Sequence, residues 1–305
     1  MWVQVPPPAP TPWGGTPKDA TLKNHETSAV SRFFVELFLN ENDKTCEEET
    51  MNGETYQIAR LVSAAKKAMH ENAGFSFPPS PYEKSIAFRF VPQKRFFQLR
   101  ERTAPTPGEW FETCRKEGLR DMFLLMDTAS PDPRLLGFVN TKPINITVVY
   151  KNGKARFWTP KWTFDSAHKQ WDIEYTEHMW EDAPFRLPTF VDNTDDFRSV
   201  LTEIEEFAGR IGANSFAAIF GKARSIVDEK DFVSESLGFP ELPAKNRVLF
   251  GAAMTADVFG AMGSWNDSPP FLAHEKGLDA EYKRLSAELL KQIRLATLFA
   301  VNQWT

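Results

Sequence analysis

The sequence predicts an α+β fold, with an antiparallel β-meander in the middle of the chain and N-terminal helices and a C-terminal helical half packed on it. Three observations predict this class. Apolar residues recur at helical spacing before residue 70 and again after residue 193. Between these regions the apolar period is mostly two, as in half-buried strands. The strands therefore precede most of the helices and do not alternate with them, which is typical of α+β proteins.

The N-terminal region predicts an extended arm followed by two helices. Residues 1–27 are rich in Pro, Gly and Thr and form no periodic pattern. A first helix is expected at 28–39. The second carries a repeated apolar face made of Ile58, Leu61, Val62, Ala65 and Met69.

A hairpin is expected from about residue 84, because Ile86, Phe88 and Phe90 alternate with polar residues and a second run follows after a short turn. The segment 121–127 is a short continuous apolar run. Such a run is typical of a strand that is buried on both faces.

Between these strands the sequence carries a complete set of helix signals. Thr106 is the expected N-cap, Pro107 the first helical residue, Glu109 the partner in a capping box and Gly118 the stop. We therefore expect one short helix between residues 106 and 118.

The antiparallel meander is expected over residues 135–180. Asn152 and Gly153 lie between two β-rich runs and predict a hairpin with a two-residue type I′ turn. A third run alternates Trp171, Ile173 and Tyr175 with polar residues, which predicts one face exposed to water.

The last part of the chain predicts helices alone. Thr194 is expected to cap the first of them, and further helices are expected near 214–228, 245–263 and 279–302. We thus divide the chain into the arm 1–27, an α+β part 28–182 and a helical part 183–305. A single domain formed by the last two would show the same pattern.

Composition limits the functional classes. The net charge is −5 and the pI about 5.7, which argues against nucleic acid as a general partner. Cys46 and Cys114 form no C-x-x-C pair, and the first residues have neither a basic nor an apolar signal region. We therefore expect a cytoplasmic protein without a membrane segment, a metal site or a cofactor.

Aromatic residues of the meander are the first candidate site. Five rings could form a platform for a sugar or a flat ligand, because large rings supply contact area at little entropic cost: Trp158, Trp162, Trp171, Tyr175 and Trp180. The same alternation also builds an ordinary core. A platform would make the protein a non-catalytic binder of a protein or a small molecule.

Asp257 is the candidate catalytic residue. It interrupts the apolar stretch 248–263, so we expect a desolvated carboxylate with a perturbed pKa. This favours a hydrolase-type enzyme as the alternative function. The structural explanation is an ion pair with a base on the last helix, for which the candidates are Lys283, Arg284, Lys291 and Arg294.

Trp265, Asn266 and Asp267 directly follow this stretch and are further candidate ligand-binding residues. As an alternative, Asn266 and Asp267 shape a turn after a glycine-terminated helix, and Trp265 anchors it.

A basic and aromatic segment at 84–102 supports a third hypothesis, binding of single-stranded nucleic acid through Arg89, Lys94, Arg95 and Arg100. A half-buried hairpin with a charged outer face explains the same residues. The chain has no phosphate-binding loop, dinucleotide fingerprint, nucleophile elbow or zinc-protease motif. The sequence thus predicts a non-catalytic binding protein first, a hydrolase-type enzyme as the alternative, and binding of single-stranded nucleic acid after these.

Overall fold

The computed structural model describes residues 53–95, 98–128, 144–180, 185–230, 233, 239–260 and 263–304, and the side chains of these except 93–100. The expected arm 1–27, the helix 28–39 and the start of the expected meander at 135–143 lie outside the described residues. Within them the chain folds as an α+β protein with a mixed sheet and helices.

The described residues form a six-stranded sheet with the order β2-β1-β6-β5-β4-β3. All neighbours are antiparallel except β1 and β6, which are parallel. The strands are β1 Glu83–Arg95, β2 Gln98–Ala104, β3 Leu119–Leu125, β4 Asn145–Tyr150, β5 Ala155–Asp165 and β6 Gln170–Met179.

The expectation of a purely antiparallel meander was only partly correct. Strands β3 to β6 do follow one another as a meander, and β1 and β2 form the expected hairpin. The hairpin joins the same sheet, however, because β1 pairs in parallel with β6 and places Phe88 beside Tyr175. Parallel pairing joins segments far apart in sequence and leaves no local turn signal, so the pattern could not show it.

Seven helices lie in the described part of the chain. They are α1 Gly53–His70, α2 Pro107–Lys116, α3 Thr194–Ile211, α4 Asn214–Val227, α5 Ala244–Ala256, α6 Pro269–Glu275 and α7 Asp279–Asn302. Helix α1 contacts β3, β4 and α7, and α2 contacts the hairpin and β3. One contiguous apolar core includes residues of the sheet and of the helical part, such as Ile86 and Leu289. The division into two domains stays a prediction.

Helix α2 begins as expected. The side chain of Thr106 accepts a hydrogen bond from the backbone N–H of Glu109 at 3.3 Å, Pro107 is the first helical residue, and Gly118 follows the helix with φ +91°. Local capping chemistry accounts for these boundaries.

The turn between β4 and β5 differs from the expected type I′ turn. Gly153 has φ +78°, but Asn152 does not have the positive φ that a type I′ turn requires. The N–H of Gly153 donates to the carbonyl of Tyr150 at 3.0 Å, and the N–H of Tyr150 donates to the carbonyl of Lys154 at 2.9 Å. The loop is therefore one residue longer than expected, and Gly153 alone takes the left-handed conformation.

Strand β3 is buried although it ends the sheet. Met122, Phe123 and Leu124 are consecutive buried residues, so both faces of the strand are covered, as its apolar run predicted. Helices α1 and α7 supply this cover.

Two helix boundaries in the last part of the chain needed correction. Helix α5 ends at Ala256 and not near residue 263, with Asp257 directly after it. Thr194 is the first residue of α3 and not its cap; it donates from N–H and hydroxyl to the Asp192 carboxylate. No helix in the described ranges is long and apolar enough to cross a membrane.

Candidate functional site

The structure buries most of the rings that the sequence offered as a ligand platform. Trp158 and Tyr175 are 0% exposed and Trp171 is 3% exposed, while Trp162 is partly buried. In this structure the faces of the three buried rings contact other side chains and not solvent.

Trp158 and Tyr175 pack against rings of β1 and α2, whereas Trp171 contacts Trp162 and Phe164 of β5. The ring of Phe88 lies 4.2 Å from that of Trp110 and 4.9 Å from that of Tyr175, nearly parallel to both, and Trp110 meets Trp158 edge-on at 5.7 Å. Stacked and edge-on pairs of this kind add to the stabilisation that burial gives. This stack holds β1, β5 and β6 against α2. The same strands carry residues that are exposed at the surface.

A second group of aromatic residues, which includes Trp180 of the predicted platform, lies at the surface where β5 begins and β6 ends. The ring of Phe157 stacks on His178 at 4.9 Å and contacts Trp180 at 5.1 Å, and Trp180 contacts Phe185 at 5.3 Å. Trp180 is 36% exposed, and the other three side chains are partly exposed. We call Phe157, His178, Trp180 and Phe185 the aromatic patch. A hydrogen bond of 2.9 Å between Nε2 of His178 and the hydroxyl of Thr159 orients the imidazole.

Asp257 lies where α5 ends and is partly buried. Burial raises the pKa of its carboxyl to about 6, although the nearby guanidinium of Arg294 and the N–H of Phe259 act in the opposite direction. Arg294, one of the four basic residues that the sequence offered, also donates to the backbone carbonyl of Asp127 at 3.0 Å. The carboxyl therefore lies where the sheet end, α5 and α7 meet.

Trp265 is fully buried and held at two points. Its indole N–H donates to the hydroxyl of Ser286 at 2.8 Å, and its carbonyl accepts a hydrogen bond from the hydroxyl of Tyr282 at 2.9 Å. The tyrosine ring also stacks on the indole at 5.6 Å. These contacts are those of an anchor for the chain.

Asn266 and Asp267 hydrogen-bond within their own turn. The Asp267 carboxylate accepts from the N–H of Gly263 at 2.9 Å, and the amide of Asn266 donates to the carbonyl of Gly260 at 3.4 Å. Gly263 takes a left-handed φ of +82°. These bonds match the turn-shaping alternative, and a ligand-binding role for the two residues stays a prediction.

Of the candidate nucleic-acid residues, Arg89 donates to the carboxylate of Glu174 at 2.7 Å on the outer face of the sheet. The side chains of Lys94, Arg95 and Arg100 lie outside the described residues. Because Arg89 is already paired with Glu174, its charge is less available to bind a phosphate. Binding of nucleic acid stays a prediction.

Sequence analysis missed a buried polar network at the start of α1 and β1. The hydroxyl of Tyr175 donates to the side-chain oxygen of Gln57 at 2.7 Å, and the amide of Gln57 donates to the carboxylate of Glu83 at 2.7 Å. The same carboxylate accepts from the N–H of Ser80 at 2.6 Å. Burial raises the pKa of nearby Glu54 to about 7. The pKa of Tyr175 is raised well above its ordinary value, chiefly by burial and further by the charges of Glu54 and Glu83. No local motif joins these residues, because they come from three separate segments.

The chain matches no protein-family model, and neither the curated proteins nor the solved structures contain a significant match to it.

Proposed function

We propose that the protein is a non-catalytic binding protein whose partner, another protein, contacts the aromatic patch. The observation that carries the proposal is the continuous row of four rings, joined by three contacts, in which the indole of Trp180 is exposed. Contiguous exposed apolar surface is typical of interaction sites.

The composition of the patch supports a protein partner. Trp is the residue most often found to dominate binding energy at interfaces, where its ring is surrounded by other contacts that exclude water. Trp180 has such neighbours on both sides, in Phe157 and Phe185. The imidazole of His178 and the hydroxyl of Thr159 add polar groups beside the rings.

The buried rings of the meander support the same proposal indirectly, because they make the strands that carry the patch rigid. Trp158 and Tyr175 are buried residues of β5 and β6, the strands that also carry Phe157 and His178 of the patch. Rigid strands keep surface rings in place at a low cost in conformational entropy, and this preorganisation favours binding.

A photocrosslinking experiment tests the proposal. The photoreactive amino acid p-benzoylphenylalanine replaces Trp180 in one variant and Phe271 in a matched control. Phe271 is 61% exposed and lies in α6, outside the patch. In cells that express the protein, we expect a discrete crosslinked species from position 180 and none from position 271.

The same species should disappear when Phe157→Ala is combined with the reactive group at position 180. Crosslinks that are equal at the two positions, or that persist in this double variant, would contradict the proposal. A crosslink to a small molecule alone would assign the patch to a ligand and reject a protein partner.

We propose hydrolysis with Asp257 as acid or base as the second candidate function. The observation that favours it is the raised pKa of this partly buried carboxyl, about 6, which is close to the pH at which general acids and bases act most efficiently. A panel of chromogenic esters, glycosides and phosphate esters should reveal an activity that rises or falls around that pH. The activity should be lost in Asp257→Asn; its retention would reject this candidate.

A further inference from the structure

The segment between β6 and α3 exposes apolar side chains. Residues 186–192, with the sequence RLPTFVD, form neither helix nor strand and are called the connecting segment here. Leu187 is 48% exposed and Val191 is 65% exposed, two of the highest values for large apolar residues in the described chain. Thr189 between them is exposed as well.

The connecting segment is held in place from its inner side. Phe190 is buried and stacks on Phe123 with the ring centres 6.0 Å apart, and its carbonyl accepts from the amide of Gln303 at 3.5 Å. Directly after the segment, the Asn193 amide donates to the carbonyl of Gln292 at 3.0 Å. The segment is therefore positioned by the body of the protein.

Its outer backbone groups are unused. In the part of the chain that the structure describes, the N–H and C=O groups of Leu187, Thr189 and Val191 have no hydrogen-bond partner. Unpaired backbone next to exposed apolar side chains is the feature on which an added β-strand pairs.

We infer that the connecting segment pairs with the same segment of a second copy of this chain, as two antiparallel strands that cross at Thr189. A twofold axis then relates the two copies, and the same residues form both sides of the interface.

The position of Pro188 fits this pairing. In the extended conformation that this pairing requires, the backbone groups of successive residues point to opposite sides, those of Leu187, Thr189 and Val191 to one side and those of Pro188 and Phe190 to the other. The carbonyl of Phe190 points towards Gln303 in the same molecule. The missing N–H of Pro188 thus falls on the inner side, where the second strand needs no donor.

The side chains are complementary in this register. With Thr189 opposite Thr189, Leu187 lies opposite Val191, and Arg186 lies opposite Asp192. The first pair joins two exposed apolar side chains, and the second joins opposite charges. The Asp192 carboxylate accepts from Thr194 but stays partly exposed, and its present cation, Lys245, lies 3.5 Å away at the surface, so a second cation can reach it.

Sedimentation equilibrium of the full chain, from low micromolar to near millimolar concentration, measures this self-association. We expect a monomer–dimer equilibrium. Thr189→Pro removes the two central N–H donors of the dimer, and should raise its dissociation constant by about tenfold or more. Thr189→Ser keeps both donors and is the matched control. Because Thr189 is exposed, circular dichroism should show both variants folded.

Charge variants test the register. Arg186→Glu places like charges opposite each other and should weaken the dimer, whereas Arg186→Lys should keep it. A disulfide test uses Thr189→Cys in a chain in which Cys46 is replaced by Ser, with Phe271→Cys in the same background as the control. Thr189→Cys should form an intermolecular disulfide faster, because the Cα atoms of directly opposite residues in such a strand pair are about 5.5 Å apart.

A chain that stays monomeric over the whole range, or a dimer unchanged by Thr189→Pro, would overturn the inference. A dimer that responds to Thr189→Pro but is equally stable in Arg186→Glu would overturn this register. The proposed function is tested separately, because its crosslink at position 180 identifies a different protein and is expected in Thr189→Pro as well.

Discussion

The side-chain amide of Asn302, at the end of α7, takes the place of a neighbouring strand for Leu124 in β3. Its oxygen accepts from the N–H of Leu124 at 2.9 Å, and its nitrogen donates to the carbonyl of the same residue at 2.7 Å. One side chain thus satisfies both backbone groups at the buried edge of the sheet.

Loss of this amide should destabilise the protein clearly. We expect Asn302→Ala to lower the free energy of unfolding by about 2 to 4 kcal/mol, because a buried N–H and a buried C=O lose their partners. Gln303→Ala is the control, since it loses only one hydrogen bond of 3.5 Å to the Phe190 carbonyl at a partly exposed position and should cost less than about 1 kcal/mol. Urea unfolding measures both values; equal effects would contradict the role of Asn302.

Two glutamates on β6 should differ strongly in their importance. Glu177 is 4% exposed and accepts from the Val91 N–H at 2.8 Å and from Arg156 at 3.0 Å. We expect Glu177→Gln to cost about 2 to 4 kcal/mol of unfolding free energy, because it breaks a buried ion pair.

The matched variant is Glu174→Gln, which breaks the exposed pair with Arg89 and should cost less than about 1 kcal/mol. Guanidinium unfolding of the two variants provides the comparison. A loss in Glu177→Gln no larger than in Glu174→Gln would show that the buried pair is not needed for stability.

The stability of the protein should depend on pH through Asp257. The folded-state pKa of about 6 is higher than its ordinary value of 3.8, so the folded state holds the proton more tightly than the unfolded chain. The contribution of this group to stability is therefore full below about pH 4 and is lost as the pH rises through 6.

Asp257→Asn removes this pH-dependent loss. At pH 8 we expect the free energy of unfolding of Asp257→Asn to exceed that of the wild type by up to about 3 kcal/mol. Each kcal/mol should shift the melting midpoint by very roughly 2 °C or more. Below pH 4 the two proteins should melt alike. A lower midpoint of the variant at pH 8 would instead identify a structural ion pair with Arg294.

Two helical glycines should respond to alanine in opposite ways. A Cβ on buried Gly251 would lie 2.3 Å from the Cγ1 atom of Val233, so Gly251→Ala should destabilise by about 1 to 3 kcal/mol. A Cβ on Gly209 has open space, and Gly209→Ala should stabilise α3 by about 0.5 to 1 kcal/mol. Thermal unfolding of both variants measures the two signs; a destabilised Gly209→Ala would contradict this account.

Local signals predicted many elements of this protein from the sequence. Thr106 and Pro107 set the start of α2, the apolar alternation around Phe88 predicted a strand, and a continuous apolar run predicted β3. Each of these features depends on residues within a few positions of one another, which a single sequence displays directly. The turn after Gly263 was also foreseen as a turn, with Trp265 as its anchor.

The sequence was less informative where contacts join distant residues. It offered Trp158 and Tyr175 as a platform or, in preference, as core, and only the packing of α2 and β1 against them showed the burial. Asp257 was recognised as a carboxyl in an apolar stretch, but four basic residues were possible partners until the fold brought Arg294 close.

The sequence by itself thus determined the α+β class, most helices and strands and the segment that carries Asp257, because periodicity and capping are local. Only the tertiary structure decided the parallel pairing of β1 with β6, the buried network of Gln57 and Glu83, and the exposure of Trp180. These features depend on pairing, burial and solvent access between segments far apart in the chain, and no local pattern of residues records them.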